Sequence, residues 1–396
     1  MALEDMKITI IGAGIGGLSA ALALQRAGAQ VTVLEQAEAI SEVGAGLQIS
    51  PNGMAVLRAL GLQDDLIWAS RRARAVVLRS HRKGRAVVRL DLEQYAADLP
   101  YYFVHRADLI RILAQAAREA GVQVRLLQKV RRVDCEPKPV VHLANGCRCG
   151  GDLIIGADGL HSKVRKALNG AGQPQFTGQV AWRALVPNVV GLADEAQVFM
   201  GPGRHLVAYP LRDGAMVNLV AAQERRNWAE EGWNIQDDPA NLQRAFAAFG
   251  GDAADLLAQV DQVLLWGLFR HPVAPIWYRG PVALLGDAAH PTLPFMAQGA
   301  NLALEDAWVL AQVLVEAGGA DVPAALARYQ DLRRERAAAV VEVASKNAWK
   351  YHLRPPLSWP AHQVLRLMGE IAPARMLQQF DWIYRHDVTA MTGSAD

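Results

Sequence analysis

Three segments of this chain join glycines with acidic, basic or hydroxyl residues at spacings that suit chemistry at strand-to-helix turns. The first is Gly12-Ala-Gly-Ile-Gly-Gly17, a G-x-G-x-x-G run. Gly12 permits the turn, Gly14 lets backbone approach a pyrophosphate, and Gly17 lets helix and strand pack closely, so that helix N–H groups face phosphate charge. Glu35 stands 18 residues after Gly17, where a carboxylate at a strand end can accept ribose hydroxyls. The second segment runs from Asp152 to Arg165 and contains Asp158-Gly159, Ser162 and Arg165. The third is Gly286-Asp-Ala-Ala-His-Pro-Thr-Leu-Pro-Phe-Met-Ala-Gln-Gly-Ala-Asn301. A further pair, His205 and Tyr209, lies in His-Leu-Val-Ala-Tyr; residues 205, 207 and 209 share one face of a strand, so both can line one pocket. The plain structural alternative makes His205 an exposed strand residue and Tyr209 a core aromatic.

The elements around these residues follow from periodicity. Lys7 to Ile11 has the β-branched run of a buried parallel strand, Ala20 to Ala27 is helical, Gly28 is a stop, and Val31 to Leu34 is the next strand. This βαβ unit places the glycine run and Glu35 together, although it does not tell FAD from NAD. Arg106 opens an amphipathic helix that ends near Gly121. Asp152 to Gly156 and Val282 to Leu285 are short apolar strands, each running into a Gly/Asp turn and then a helix. Between about 179 and 270 the pattern alternates, as in an antiparallel sheet, at Val180–Val186, Gln197–Met200, His205–Leu211, Met216–Ala221 and Val263–Arg270. From Ala300 onward the text is almost wholly helical.

Composition narrows the classes. The chain has 396 residues, 52% of them apolar and 20% charged, which suits two or three folded domains. Lys+Arg total 41 against 39 Asp+Glu, a net charge of +2, so no basic bias recommends a nucleic-acid partner. Three cysteines are too few for a secreted disulfide scaffold, and Cys147-Arg-Cys149 lacks a second ligand pair, so no metal site is expected. The uncharged stretch from Ile8 to Gln25 is broken by four glycines and preceded by Glu4 and Asp5. It reads as part of the βαβ unit rather than as a signal peptide or membrane span, and the expected location is the cytoplasm.

The three cofactor segments, taken with Gly44-Ala-Gly-Leu-Gln-Ile-Ser-Pro-Asn52 and His105-Arg106-Ala-Asp-Leu109, resemble the class A flavoprotein monooxygenases, most closely the salicylate hydroxylase-like branch. The likeness covers nearly the whole chain. It implies an α/β fold: an FAD-binding, glutathione-reductase-like Rossmann domain with an inserted, mostly antiparallel β-sheet substrate domain and C-terminal helices. The corresponding division assigns 1–72, 101–178 and 271–345 to the FAD domain, 73–100 and 179–270 to the substrate domain, and 346–396 to a C-terminal helical segment.

The same resemblance implies tightly held FAD and a transient NADH or NADPH. Asp287 then holds a ribityl hydroxyl, and Pro291 and Pro294 stiffen the next stretch. Gly299, Ala300 and Asn301 open a helix whose free N–H groups and positive dipole end can face the flavin N1–C2=O edge. Arg106 resembles an FAD-contacting arginine; Asp158 supports the cofactor cleft and Arg165 reaches toward the pyridine nucleotide. The alternatives for these residues are turn caps and surface pairs. His205 and Tyr209 look like the His-x-x-x-Tyr of hydroxybenzoate-type relatives, and Gln298 is placed to orient a substrate oxygen; Arg183 can pair a substrate carboxylate or brace the domain interface. The implied reaction is hydroxylation of a small phenol or hydroxylated aromatic acid by O₂ through a flavin C4a-hydroperoxide. A ubiquinone-pathway-type hydroxylase of a lipid-tailed aromatic and a non-oxygenating flavin dehydrogenase are the competing readings, and a homodimer is a possible assembly.

Overall fold

The computed structural model describes residues 3–40, 45–225 and 235–391; Gly44 of the family-like signature lies outside them. Lys7–Ile11 is the centre of a six-stranded sheet, pairing in parallel with Gln30–Leu34 on one side and Leu153–Gly156 on the other. Its Ile8, Ile10 and Ile11 are buried, as expected for a strand covered on both faces. Gln123–Arg125 and Val282–Leu284 extend the parallel part, and Tyr278–Arg279 adds an antiparallel edge.

The carboxyl ends of four parallel strands are where the motifs meet. Ile11 leads into Gly12, Leu34 into Glu35, Gly156 into Ala157-Asp158, and Leu284 into Leu285-Gly286-Asp287. Segments far apart in the chain therefore share one edge of one sheet, the place where open α/β sheets bind ligands. Two 3₁₀ turns, Gly286–Ala288 and Pro294–Met296, come before the helix Gly299–Glu316.

A second sheet of eight strands stands over this edge. Gln175–Pro187 pairs antiparallel with Met216–Glu224, from Gln179 opposite Glu224 to Pro187 opposite Met216. Every pairing in the sheet is antiparallel except Glu195–Gly201 with Ala75–Ser80. Leu206 and Ala208 of the strand Arg204–Leu211 pack into a core with Trp182 and Phe246. His205, Val207 and Tyr209 point the other way, into a cavity. The period-two side-chain alternation of a strand produces both faces.

The helix Gly299–Glu316 is fixed by buried charge. Glu305 and Asp306 are both fully buried and face the long helix Val322–Tyr351. Arg333 lies 2.6 Å from Glu305 and 2.8 Å from Asp306, and Arg336 lies 2.8 Å from Glu305. Asn52 donates to Glu305 at 2.6 Å, while His290 and the Gly286 N–H reach Asp306 at 2.5 and 3.1 Å. Burial alone raises the Asp306 carboxyl, but His290 and Arg333 outweigh it and hold the group at about 2. His290 is thereby a structural partner of the turn. Among the described residues no helix is long and apolar enough to cross a membrane.

Replacing Arg333 by Met leaves two buried carboxylates with too little countercharge. Urea unfolding should show a loss of about 3–5 kcal/mol. In the wild type, the Asp306 contribution is complete above about pH 4 and disappears as the pH falls toward 2, because its folded pKa is the lower one.

Candidate active site

The glycine turn is built by close contact. Gly12 has φ +103°, and a Cβ there would stand 2.4 Å from the Ala157 carbonyl oxygen. A Cβ on Gly17 would stand 2.1 Å from the Gly12 oxygen. Both positions need glycine for the protein's own packing. Gly14 differs: a Cβ there would meet nothing within 4 Å, and the residue lines a cavity of about 1020 Å³. Space left open beside a helix N-terminus is what a pyrophosphate requires. Glu35 borders the same cavity, its carboxylate oriented by the amides of Ala13 at 2.8 Å and Ala37 at 2.9 Å. Each oxygen retains acceptor capacity.

Gly12, Gly14, Gly17, Glu35, Arg106, Asp158, Asp287, Pro294, Gly299 and Ala300 all line this single cavity. Arg106 reaches it from the start of the helix Arg106–Glu119. Burial lowers its guanidinium to about 10; the Arg183 charge adds to that shift and Asp287 opposes it. Burial raises the Asp287 carboxyl, and His290, Arg106 and His271 pull it back. An extended cavity with an open glycine cradle at one end, and with Asp287 and Arg106 lining it near an uncapped helix start, fits FAD. Glu35 would hold its ribose and Asp287 its ribityl chain.

Several of the motif side chains have internal partners. Asn301 is fully buried and does not border the cavity: its side chain accepts from Ser50 N–H at 3.0 Å and donates to the carbonyls of Gln48 and Ala297 at 3.1 and 2.8 Å. Its side chain ties the strand Gly46–Ile49 to the helix start, which braces the backbone N–H groups there. The Gln298 amide also bonds internally, to Ser50 at 3.0 Å, Asn52 at 3.2 Å and the Met296 carbonyl at 3.5 Å. These bonds hold the turn, while Gln298 also borders the cavity and its amide oxygen keeps one acceptor site. Arg165 donates to the carbonyls of Pro272, Ala288 and Ala289, holding the Asp287 turn from behind. Asp158 borders the cavity and also caps the following helix, accepting from Ser162 and from the amides of Lys163 and Val164.

The far end of the cavity is apolar and aromatic. His205 is 2% exposed and Tyr209 3%; the exposed-strand alternative for His205 does not hold. Burial lowers the His205 imidazole to about 3, with His352 adding to the shift. Burial raises the Tyr209 hydroxyl, so it stays protonated and can donate. Gly46 admits the Tyr209 ring, since a Cβ there would lie 2.6 Å from Cε2. Arg183 lies over the Trp266 ring at 4.8 Å, and its buried Nε has no hydrogen-bond partner. The outer wall comes from the C-terminal segment: Tyr351, Leu365, Met376, Leu377, Phe380 and Tyr384 all face the cavity. Their apolar spacing was visible in the sequence, but not what they cover; Trp359 and Leu367 of the same segment are exposed. Among the described residues no cluster of His, Cys, Asp and Glu could hold a metal ion.

Fold and cavity define a flavin-dependent oxygenase architecture, and comparison with known proteins places it. The family described as an FAD binding domain matches residues 5–344. The chain is 36% identical to the 3-amino-4-hydroxybenzoate 2-monooxygenase PtmB3 of Streptomyces platensis over 391 residues, covering 96% of this chain and 95% of that one. It is 32% identical to the salicylate hydroxylase of Pseudomonas putida, over 98% of this chain and 94% of that one. Klebsiella pneumoniae HpxO complexed with FAD and uric acid superposes with a TM-score of 0.83 at 28% identity, covering 98% and 97% of the two chains. The chain belongs to the class A FAD-dependent aromatic hydroxylases, and it is an FAD-dependent monooxygenase.

The two kinds of glycine separate in experiment. Gly14→Val should leave the thermal melt of the FAD-free protein within a few degrees of wild type and abolish flavin retention on purification. Gly17→Ala should lower the melt itself, because its Cβ collides with backbone.

Proposed function

We propose that this enzyme hydroxylates a small aromatic that carries both a carboxylate and a phenolic hydroxyl. NADH or NADPH is the electron donor, and one atom of O₂ enters the ring while the other leaves as water. The observation that carries this reading is that Arg183, His205 and Tyr209 share one cavity with the start of the helix Gly299–Glu316. Bound FAD supplies the hydride and oxygen chemistry; the protein must orient the ring, remove a proton and keep water out.

Each polar group has a part. Arg183 has a buried Nε without an acceptor, and a substrate carboxylate supplies one in a charge-assisted bond. Tyr209, kept protonated by burial, donates to the ring oxygen. His205, kept neutral by burial, accepts from the ring hydroxyl. Around them Val207, Val198, Met200 and Phe295 exclude water. The relatives named for 3-amino-4-hydroxybenzoate, 6-hydroxynicotinate and salicylate support the substrate class, because those compounds combine a carboxylate or its conjugate acid with a ring hydroxyl.

The test is a panel of hydroxylated benzoates and pyridine carboxylates, scored for NADH and NADPH oxidation, O₂ uptake and product mass. One compound should accelerate oxidation and gain one oxygen with one O₂ consumed. Product formed without O₂ uptake would support a dehydrogenase instead. With that compound, Arg183→Gln should raise KM by about 10–100-fold, the scale of a lost charged hydrogen bond, and affect a decarboxylated analogue far less. Tyr209→Phe should lower kcat more than it raises KM.

A further inference from the structure

Three side chains connect the cavity to the protein surface. The Nδ1 atom of His205 lies 2.8 Å from Nε2 of His352, which follows the end of the long helix. Nδ1 of His352 lies 3.1 Å from Oε1 of Glu224, at the end of the strand Met216–Glu224. The Glu224 side chain is 39% exposed, whereas that of His352 is 2% exposed. Backbone bonds clamp the three together: Gly203 N–H donates to the His352 carbonyl at 3.0 Å, and Glu224 N–H donates to the Gly203 carbonyl at 2.9 Å.

The carboxylate decides the tautomers of both rings. A carboxylate can only accept, so His352 must carry its hydrogen on Nδ1. In the neutral ring Nε2 is then an acceptor, and His205 must donate from its own Nδ1. The lone pair of His205 is consequently on Nε2, the ring nitrogen left for a ligand in the cavity. An outward-facing residue thus sets which atom of a buried imidazole is basic.

We propose that Glu224, His352 and His205 form a proton wire that carries the phenolic proton of the bound aromatic from the cavity to solvent. Glu224 and His352 act as positioning and relay residues. The inference rests on the phenol-hydroxylating reading above. In the transfer the phenol O–H bond breaks as a bond to His205 Nε2 forms. The Nδ1 hydrogen of His205 passes to His352 Nε2, and the Nδ1 hydrogen of His352 passes to Glu224, which releases it to water. One proton leaves, a phenolate remains, and no electrons move.

The surroundings favour passage over storage. The rings beside His205 are Phe295, Tyr351 and His352, and the His352 Nε2 atom is the acceptor for its Nδ1 hydrogen. The Nδ1 hydrogen bond to His352 gives a proton arriving at Nε2 an exit, and burial, which lowers the His205 pKa to about 3, disfavours its retention as an imidazolium. The charged groups around His352 are Glu224, which favours its protonated form, and Arg204 and Arg354, which oppose it. Arg354 also donates to the second Glu224 oxygen at 2.7 Å, holding the carboxylate in place at the exit.

The experiment uses the FAD-loaded enzyme and 4-nitrophenol, whose phenolate is coloured and whose deprotonation needs neither nicotinamide nor O₂. In stopped flow, wild type should bind 4-nitrophenol as the phenolate below its solution pKa. His352→Phe should slow phenolate formation by about 10²-fold, the scale of a lost general base, and Glu224→Gln by about tenfold, with flavin content retained. Added imidazole should restore the rate in His352→Gly. Variants that deprotonate the probe as fast as wild type, or a wild type that binds only the neutral phenol, would overturn the wire. Independently of any variant, ¹⁵N NMR of the wild-type histidines should find both His205 and His352 protonated on Nδ1; a His205 hydrogen on Nε2 also overturns it. If the probe is deprotonated as expected but no phenol is ever hydroxylated, the functional reading fails and the wire stands.

Discussion

The buried ion cluster of Glu305, Asp306, Arg333 and Arg336 is the constraint on which the active site depends. Glu305 and Asp306 sit two turns into the helix Gly299–Glu316, whose first residues border the cavity. Through Asn52 the cluster holds the segment after the strand Gly46–Ile49, and through Gly286 and His290 it holds the Asp287 turn. A buried pair is weak evidence for net stability, since desolvation offsets attraction, but removing one member is costly. The cluster therefore acts chiefly on geometry. It lets one helix start, one acidic turn and one strand end keep a common register.

A second consequence is that one cavity is bordered by residues of both sheets. The six-stranded sheet supplies the nucleotide end through strand termini, and the eight-stranded sheet supplies a wall through alternate residues of one strand. Neither sheet closes the space. Closure comes from Tyr351 at the end of the long helix and from Leu365, Met376, Leu377, Phe380 and Tyr384. Most of this outer wall is apolar or aromatic, which suits a reaction that must exclude water while a few polar groups set the ring's orientation.

Much of the candidate site was legible in the sequence because its signals are local. Gly12, Gly14 and Gly17 differ in what surrounds them, yet spacing alone separates their roles, since a strand–turn–helix leaves only one way to place each. The same-face relation of His205 and Tyr209 follows from the two-residue period of a strand. The bracing bonds of the Asn301 and Gln298 side chains were not legible, because a polar side chain in such a motif has the same sequence signature whether it faces a ligand or braces the turn. Their partners, Ser50, Asn52 and Gln48, lie some 250 positions away, beyond any local pattern. The Arg165 contacts with Pro272, Ala288 and Ala289 were hidden for the same reason.

The sequence by itself determined the class of cofactor site, the alternation of the substrate sheet and the family, because glycine geometry and strand and helix periods are properties of short segments. Only the tertiary structure decided which side chains of those segments remain free. Hydrogen-bonding capacity is finite, and a side chain consumed by a distant partner cannot serve a ligand. The Asn301 side chain is committed in this way, while the buried Arg183 Nε has no hydrogen-bond partner. Likewise the pairing of His205 with His352 and Glu224 exists only because a strand turn and a helix end, 147 residues apart at His205 and His352, are clamped through Gly203.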